Sequence, residues 1–204
     1  MKYLIAVPCM DMVNTMFMMS LISLNKPPES KVAVCRSSLV YDSRNKLAEI
    51  AVNNDFDRVL WLDSDMSFEP DMMTRLIADM DEGREFVCGI YHSRKTPIRP
   101  VIYAELREND GVTEAINIDP IPENSVFEIA AAGFGCVMMN TDVLKRAAGE
   151  NDYPFVPIKG WGEDLSFCVK AKRAGVKLWC DSGVKVGHIG QALVDGFTGE
   201  TVML

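Results

Sequence analysis

The chain has 204 residues, 48% of them hydrophobic, and a formal net charge of -8. That length and apolar content suit one domain with a sizeable core. The acidic balance argues against a nucleic-acid partner, which needs a basic surface, but not against an anionic small molecule gripped through a metal ion.

The first half alternates strand and helix. Tyr3 to Val7 reads as a buried strand ended by Pro8; its apolar run is too short for a signal peptide, and no stretch approaches the length of a membrane span. A Met-rich helix is expected over Val13 to Leu24, closed by Asn25 and the Pro27-Pro28 pair, then a short strand over Lys31 to Cys35. Ser43 to Asn53 has Leu47, Ile50 and Ala51 at helical spacing. Arg58 to Leu62 is an apolar strand, and a helix begins near Pro70 with Met73, Leu76, Ile77 and Met80 on its inner face. Phe86 to Ile90 is the next strand. This alternation implies a mostly parallel sheet with helices on both faces.

The second half is more mixed. Val101 to Ala104 and the segment after Asp110-Gly111 read as an antiparallel excursion. Cys136 to Met139 is a strand, followed by a short helix capped by Asn140 or Thr141. A Pro- and Gly-containing loop spans Asn151 to Trp161. A helix over Glu163 to Ala174 is stopped by Gly175, and the last short strands are Lys177 to Cys180 and Val184 to Val186. None of the six cysteines forms a C-x-x-C pair, so they read as reduced, mostly buried thiols of a cytoplasmic protein and not as a zinc site.

Five motifs carry chemistry. Asp63-Ser64-Asp65 ends an apolar strand. In an extended chain its two carboxylates face the same way, beyond the carboxyl end of the strand, where open parallel sheets bind ligands. Hard carboxylate oxygens suit Mg²⁺ or Mn²⁺ bridging phosphates; the plainer reading is an acidic turn capping the next helix. Gly160-Trp161-Gly162-Glu163-Asp164 opens a helix. Its acids complement the dipole, and a carboxylate there is placed to take a proton from an acceptor hydroxyl. The dipole should keep Asp164 ionised.

His188 follows a short strand between Gly187 and Gly190, where an imidazole is either a metal ligand or a structural group. Arg44 and Asn45 fall in the first turn of their helix, a place that attracts anions, or else this is a capped helix with an exposed Arg44. In Tyr91-His92-Ser93-Arg94-Lys95, Lys95 or Arg94 reaches phosphates, or the run is a solvated basic loop. The chain has no phosphate-binding G-x-x-x-x-G-K-[ST] loop, no H-E-x-x-H and no G-x-S-x-G. Gly133-Phe134-Gly135 is not a dinucleotide fingerprint, because Met138 stands where the third glycine would be.

In their order, the strand ending in Pro8, Ser43-Arg44-Asn45, Asp63-Ser64-Asp65, Gly133-Phe134-Gly135, Trp161-Gly162-Glu163-Asp164 and Gly187-His188 resemble the GT-A glycosyltransferases, near the bacterial and phage branch of family 2. The resemblance runs from about Tyr3 to Gly190. It implies one GT-A domain over residues 1–204, with a nucleotide-sugar and metal half to about residue 100 and an acceptor half beyond. The implied fold is a Rossmann-like, mostly parallel central sheet flanked by helices, with a small antiparallel excursion.

The implied activity is metal-dependent transfer of a sugar from a nucleotide-diphosphate donor, such as a UDP- or GDP-sugar, to an acceptor hydroxyl with inversion. Asp65 and His188 would bind Mn²⁺ or Mg²⁺, and Asp63 would contact the ribose, or the metal through water. Pro8, Arg44, Asn45, Ser64 and Lys95 would join Asp63 around the nucleotide sugar. Asp164 would be the base, and Glu163, with Gly133, Trp161 and Gly162, would bind acceptor or donor-sugar hydroxyls. The family's C-terminal acceptor elements are expected to be short or absent, with Gln191 to Leu204 a flap. The alternatives are a nucleotidyltransferase, whose Gly-rich basic loop is missing after the first strand, and a non-catalytic nucleotide-sugar binder.

Overall fold

The computed structural model describes residues 1–109, 112–151, 153–190, 192–194 and 201–203. The elements of the first half are β1 (Tyr3–Cys9), α1 (Thr15–Ser23), β2 (Ser30–Arg36), α2 (Val40–Asn53), β3 (Arg58–Leu62), β4 (Met66–Ser67), α3 (Met72–Asp81) and β5 (Phe86–Ile90). Then come β6 (Ile102–Asn109), β7 (Val112–Asn117), β8 (Val126–Ile129), β9 (Ala131–Ala132), β10 (Cys136–Asn140) and α4 (Thr141–Ala148). The last are α5 (Glu163–Arg173), β11 (Leu178–Lys185), β12 (Gly187–His188), β13 (Ala192–Val194) and β14 (Thr201–Met203).

The central sheet has seven strands in the order β2-β1-β3-β10-β5-β11-β8. Pairs β2/β1, β1/β3 and β5/β11 are parallel, whereas β10 runs antiparallel between β3 and β5, and β8 lies antiparallel on the edge. Strands β1, β3 and β5 read as apolar runs because both sheet faces are covered. Leu4, Ala6, Val59, Trp61 and Phe86 face Leu47 of α2, Leu144 of α4 and Phe167 of α5. Their neighbours Ile5, Val7, Leu60, Leu62 and Val87 face Phe17 of α1 and Met73, Leu76 and Met80 of α3. The period-2 alternation of side chains thus divides each strand between two cores.

Several boundaries differ from the sequence expectation. Strand β1 continues through Pro8 to Cys9. Beyond Ala6 it has lost β3 and keeps only β2. The Cys9 carbonyl accepts from the Ser37 amide on that side, so Pro8 turns its missing N–H toward the unpaired side and sacrifices no bond. Helix α2 begins at Val40 and not Ser43, placing Arg44 and Asn45 beyond its first turn. Helix α3 begins at Met72, leaving Pro70 outside it. The last two strands are one, β11, carried through Gly183 with a register irregularity.

The excursion is a hairpin of β6 and β7 with β9 on its other edge, while its turn at Asp110-Gly111 lies outside the described residues. Within Gln191 to Leu204, β13 and β14 pair antiparallel; the remainder of that expected flap lies outside the described residues.

Candidate active site

Where β3 ends, the chain leaves the sheet in a tight turn, with the Met66 amide donating to the Asp63 carbonyl at 3.2 Å. Three further backbone bonds clamp that turn. The Asp63 amide donates to Gly135 at 3.3 Å, Asn14 donates to Ser64 at 3.2 Å, and Ile189 donates to Asp65 at 2.8 Å. Just beyond, β12 pairs with β4, setting His188 opposite Met66. Three segments distant in sequence therefore meet around Asp63-Ser64-Asp65 without relying on its side chains.

The two carboxylates do not share one partner. Asp63 Oδ1 accepts from Arg44 Nη2 at 2.8 Å, and Glu163 Oε1 accepts from Arg44 Nε at 3.3 Å. The Arg44 side chain is only 3% exposed, and its guanidinium lies 5.2 Å from the Phe134 ring centroid. Burial weakens its charged form, but Asp63, Glu163 and Asp164 more than offset this and raise its pKa. Burial likewise raises the Asp63 pKa in spite of Arg44.

Asp65 instead meets Arg94 and His188. Arg94 Nη1 lies 2.9 Å from Asp65 Oδ2, and His188 Nε2 lies 3.5 Å from the same oxygen. Burial pushes the Asp65 pKa up, but His188 and Arg94 together hold it below the ordinary carboxylate range. His188 Nδ1 is 2.9 Å from the His92 carbonyl, which can only accept, so Nδ1 carries the proton. Burial lowers the His188 pKa, but Asp65 and the His92 carbonyl outweigh burial and raise it, so the metal-free imidazole favours a proton on Nε2; when neutral it turns its Nε2 lone pair toward a carboxylate oxygen. Two acceptors facing each other require a proton or a cation between them, and that donor set fits a divalent ion. Among the described residues no three His, Cys, Asp or Glu side chains converge as a complete metal cage. Two protein ligands joined by substrate phosphates are the usual arrangement for Mg²⁺.

Asp164 sits in the first turn of α5, its Oδ1 accepting from the Leu165 amide at 2.7 Å. Burial, then the Glu163 charge, push its pKa up to about 6, outweighing the helix start that was expected to keep it low. Gly162 stands at the helix entrance, where an added Cβ would lie 2.9 Å from that same Oδ1.

These groups line one cavity of about 470 Å³, a volume suited to a small-molecule site. Its wall includes Pro8, Arg44, Asp63, Ser64, Asp65, Glu163, Asp164 and His188. Asn45, Lys95, Gly133, Trp161 and Gly162 do not line it. Asn45 Oδ1 instead accepts from the Phe155 amide at 3.0 Å. Gly133 and Gly135 make room for Tyr91, since a Cβ on either would collide with that ring or its hydroxyl. Lys95 is exposed, and Arg94, one residue earlier, is the cation this loop contributes to the wall beside Arg44. Tyr91, Phe134, Ser37 and Ser38 also contribute to the wall and carried no sequence signal of their own. A hollow of about 550 Å³ beside α2 and α4 has Glu49 and Lys145 but no such acid–arginine constellation.

No family model matches the sequence, and no curated protein matches it. Solved structures do match. A197 from STIV aligns with a TM-score of 0.67 and 18% identity, over 100% of this chain and 94% of that one. GalNAc-T7, solved with UDP, GalNAc and Mn²⁺, aligns with a TM-score of 0.66 and 14% identity, over 98% of this chain and 44% of its own. S. aureus TarS 1-349 aligns with a TM-score of 0.58 and 17% identity, over 93% of this chain and 60% of its own. The fold is the GT-A fold. The chain spans less than two thirds of the GalNAc-T7 and TarS chains it aligns with. No described helix is long and apolar enough to cross a membrane.

Proposed function

We propose that this chain is a glycosyltransferase that moves a sugar from a nucleoside-diphosphate sugar to an acceptor hydroxyl, with inversion, as a single GT-A domain. The observation that carries the reading is a near-neutral carboxyl, Asp164, sharing one cavity with a carboxylate–imidazole pair suited to a divalent ion. The GT-A fold and the UDP and Mn²⁺ bound by GalNAc-T7 support it.

In this reading Pro8, Ser64, Asp63 and Arg44 border the nucleotide. Arg44 ties Asp63 to Glu163 and so fixes the donor wall relative to the acceptor-side helix. Asp65 and His188 hold Mn²⁺ or Mg²⁺, which when bound offsets the negative charge of the departing diphosphate. Asp164 takes the proton of the attacking hydroxyl; a pKa near the working pH is what a general base needs. Glu163 orients sugar hydroxyls in this reading. A single displacement from the face opposite the diphosphate inverts the anomeric carbon. Free thiols at all six cysteines support a reducing, cytoplasmic setting.

Incubation with a panel of nucleoside-diphosphate sugars and a mixed pool of acceptors tests the reading. Release of nucleoside diphosphate and a product of opposite anomeric configuration by NMR are expected. Release of sugar 1-phosphate in place of nucleoside diphosphate would point to nucleotidyl transfer, and retained configuration would remove the single-displacement role of Asp164.

A further inference from the structure

Arg94 is the cavity's unclaimed cation, and its bonds divide its guanidinium in two. Nη1 donates to the Ile189 carbonyl at 2.9 Å and meets Asp65 Oδ2 at the same distance. Nη2 and Nε have no partner among the described residues, and the side chain, 40% exposed, borders the cavity. Asp65 Oδ2 is also the oxygen that faces His188 Nε2. A divalent ion held by that oxygen and that nitrogen would stand against a guanidinium already in contact with the oxygen. Like charges at such range repel, so both cations cannot hold Asp65 Oδ2 at full strength. The planar fork of arginine matches phosphate oxygens, and this one is tethered beside the place where they would arrive.

We propose that Arg94 and a divalent cation compete for Asp65, and that Arg94, once displaced, turns its fork onto the donor diphosphate. Arg94 is thus a substrate-binding residue that also sets the order of assembly: the metal binds weakly alone and firmly with the nucleotide. This rests on the glycosyl-donor reading for the diphosphate, but the competition at Asp65 stands apart from it. It requires only the Asp65–Arg94 pair and an ion.

The test uses the full chain, wild type beside Arg94→Gln and Arg94→Ala. Glutamine removes the charge but keeps an N–H for the Ile189 carbonyl, which covers the case in which alanine loosens the 187–190 segment. Free Mn²⁺ is titrated by electron paramagnetic resonance without nucleotide. UDP and GDP binding are measured by calorimetry, once in EDTA and once with saturating Mn²⁺.

Arg94→Gln is expected to bind Mn²⁺ alone about tenfold more tightly than wild type, because a rival cation is gone. With saturating Mn²⁺ it is expected to bind the preferred nucleotide about tenfold more weakly, since one charged donor to the phosphates is lost, and in EDTA, where Arg94 stays on Asp65, the loss is expected to be smaller. Mn²⁺ affinity equal to or weaker than wild type in a folded Arg94→Gln protein would overturn the competition. Unchanged nucleotide affinity with saturating Mn²⁺ would overturn the diphosphate contact. If wild type binds neither nucleotide with or without Mn²⁺, the donor reading and the diphosphate contact fall together, and the Mn²⁺ comparison still decides the competition.

Discussion

At the scale of single residues, Asp164 has a signature that a mere helix-start charge would lack. Its pKa of about 6 lies above the ordinary value of 3.8, so its ionised form is the less stable one in the folded chain. A raised folded pKa adds stability that is fully present below pH 3.8 and is lost as pH climbs through about 6. Above that pH the ionised group costs on the order of 3 kcal/mol. Asp164→Asn should therefore be more stable than wild type at pH 8 by about that much and equal to it at pH 3.5, as measured by urea unfolding. Its kcat should fall about a hundredfold or more, the scale of a lost general base. Wild-type turnover should rise with pH up to about 6 and then level. A variant both destabilised at pH 8 and normally active would return Asp164 to a structural role.

The residue types of the site were legible in the sequence, but their partners were not. Asp65, Asp164 and His188 stand out by position at strand and helix ends. The Arg44 link to Glu163 spans 119 positions, and no local pattern encodes it. Arg94 and Lys95 are equivalent to any reading of charge, and only the course of the loop toward Ile189 separates them.

At the scale of elements, the alternation of strand and helix in the first half was readable because each period matched its structure. The antiparallel insertion of β10 between β3 and β5 was not, since an apolar run buried on both faces reads the same in either direction. The early start of α2 was hidden because Leu39 precedes it without a side-chain cap bond.

The loop before α5 is a part of the core that reads as irregular chain. Phe155 is 0% exposed, 4.9 Å from the Trp61 ring and 4.8 Å from the Phe167 ring, and its amide is held by Asn45. Its ring also lies 6.0 Å from the Arg44 guanidinium, joining the loop to the site. Phe155→Ala should cost about 3–5 kcal/mol in chemical unfolding. Tyr153→Ala, two residues earlier and 48% exposed, should change stability by about 0.5 kcal/mol or less. Equal effects from the two would show that the loop is not packed as described.

At the scale of the whole molecule, a net charge of -8 and a cavity walled by four carboxylates and two arginines disfavour uptake of a diphosphate without added positive charge. Donor binding and divalent metal should therefore be tied to each other. The measurement that tests this most directly is a thermal-shift panel of UDP-, GDP-, CMP- and dTDP-sugars, each with Mn²⁺ and with EDTA. One nucleoside-diphosphate sugar at a hundred times its Kd should stabilise the protein by about 2.7 kcal/mol with Mn²⁺ and by distinctly less in EDTA. Asp65→Asn should abolish the difference between the two conditions. No stabilisation by any member of the panel in the presence of Mn²⁺ would contradict the assignment of this cavity to a nucleotide-sugar donor.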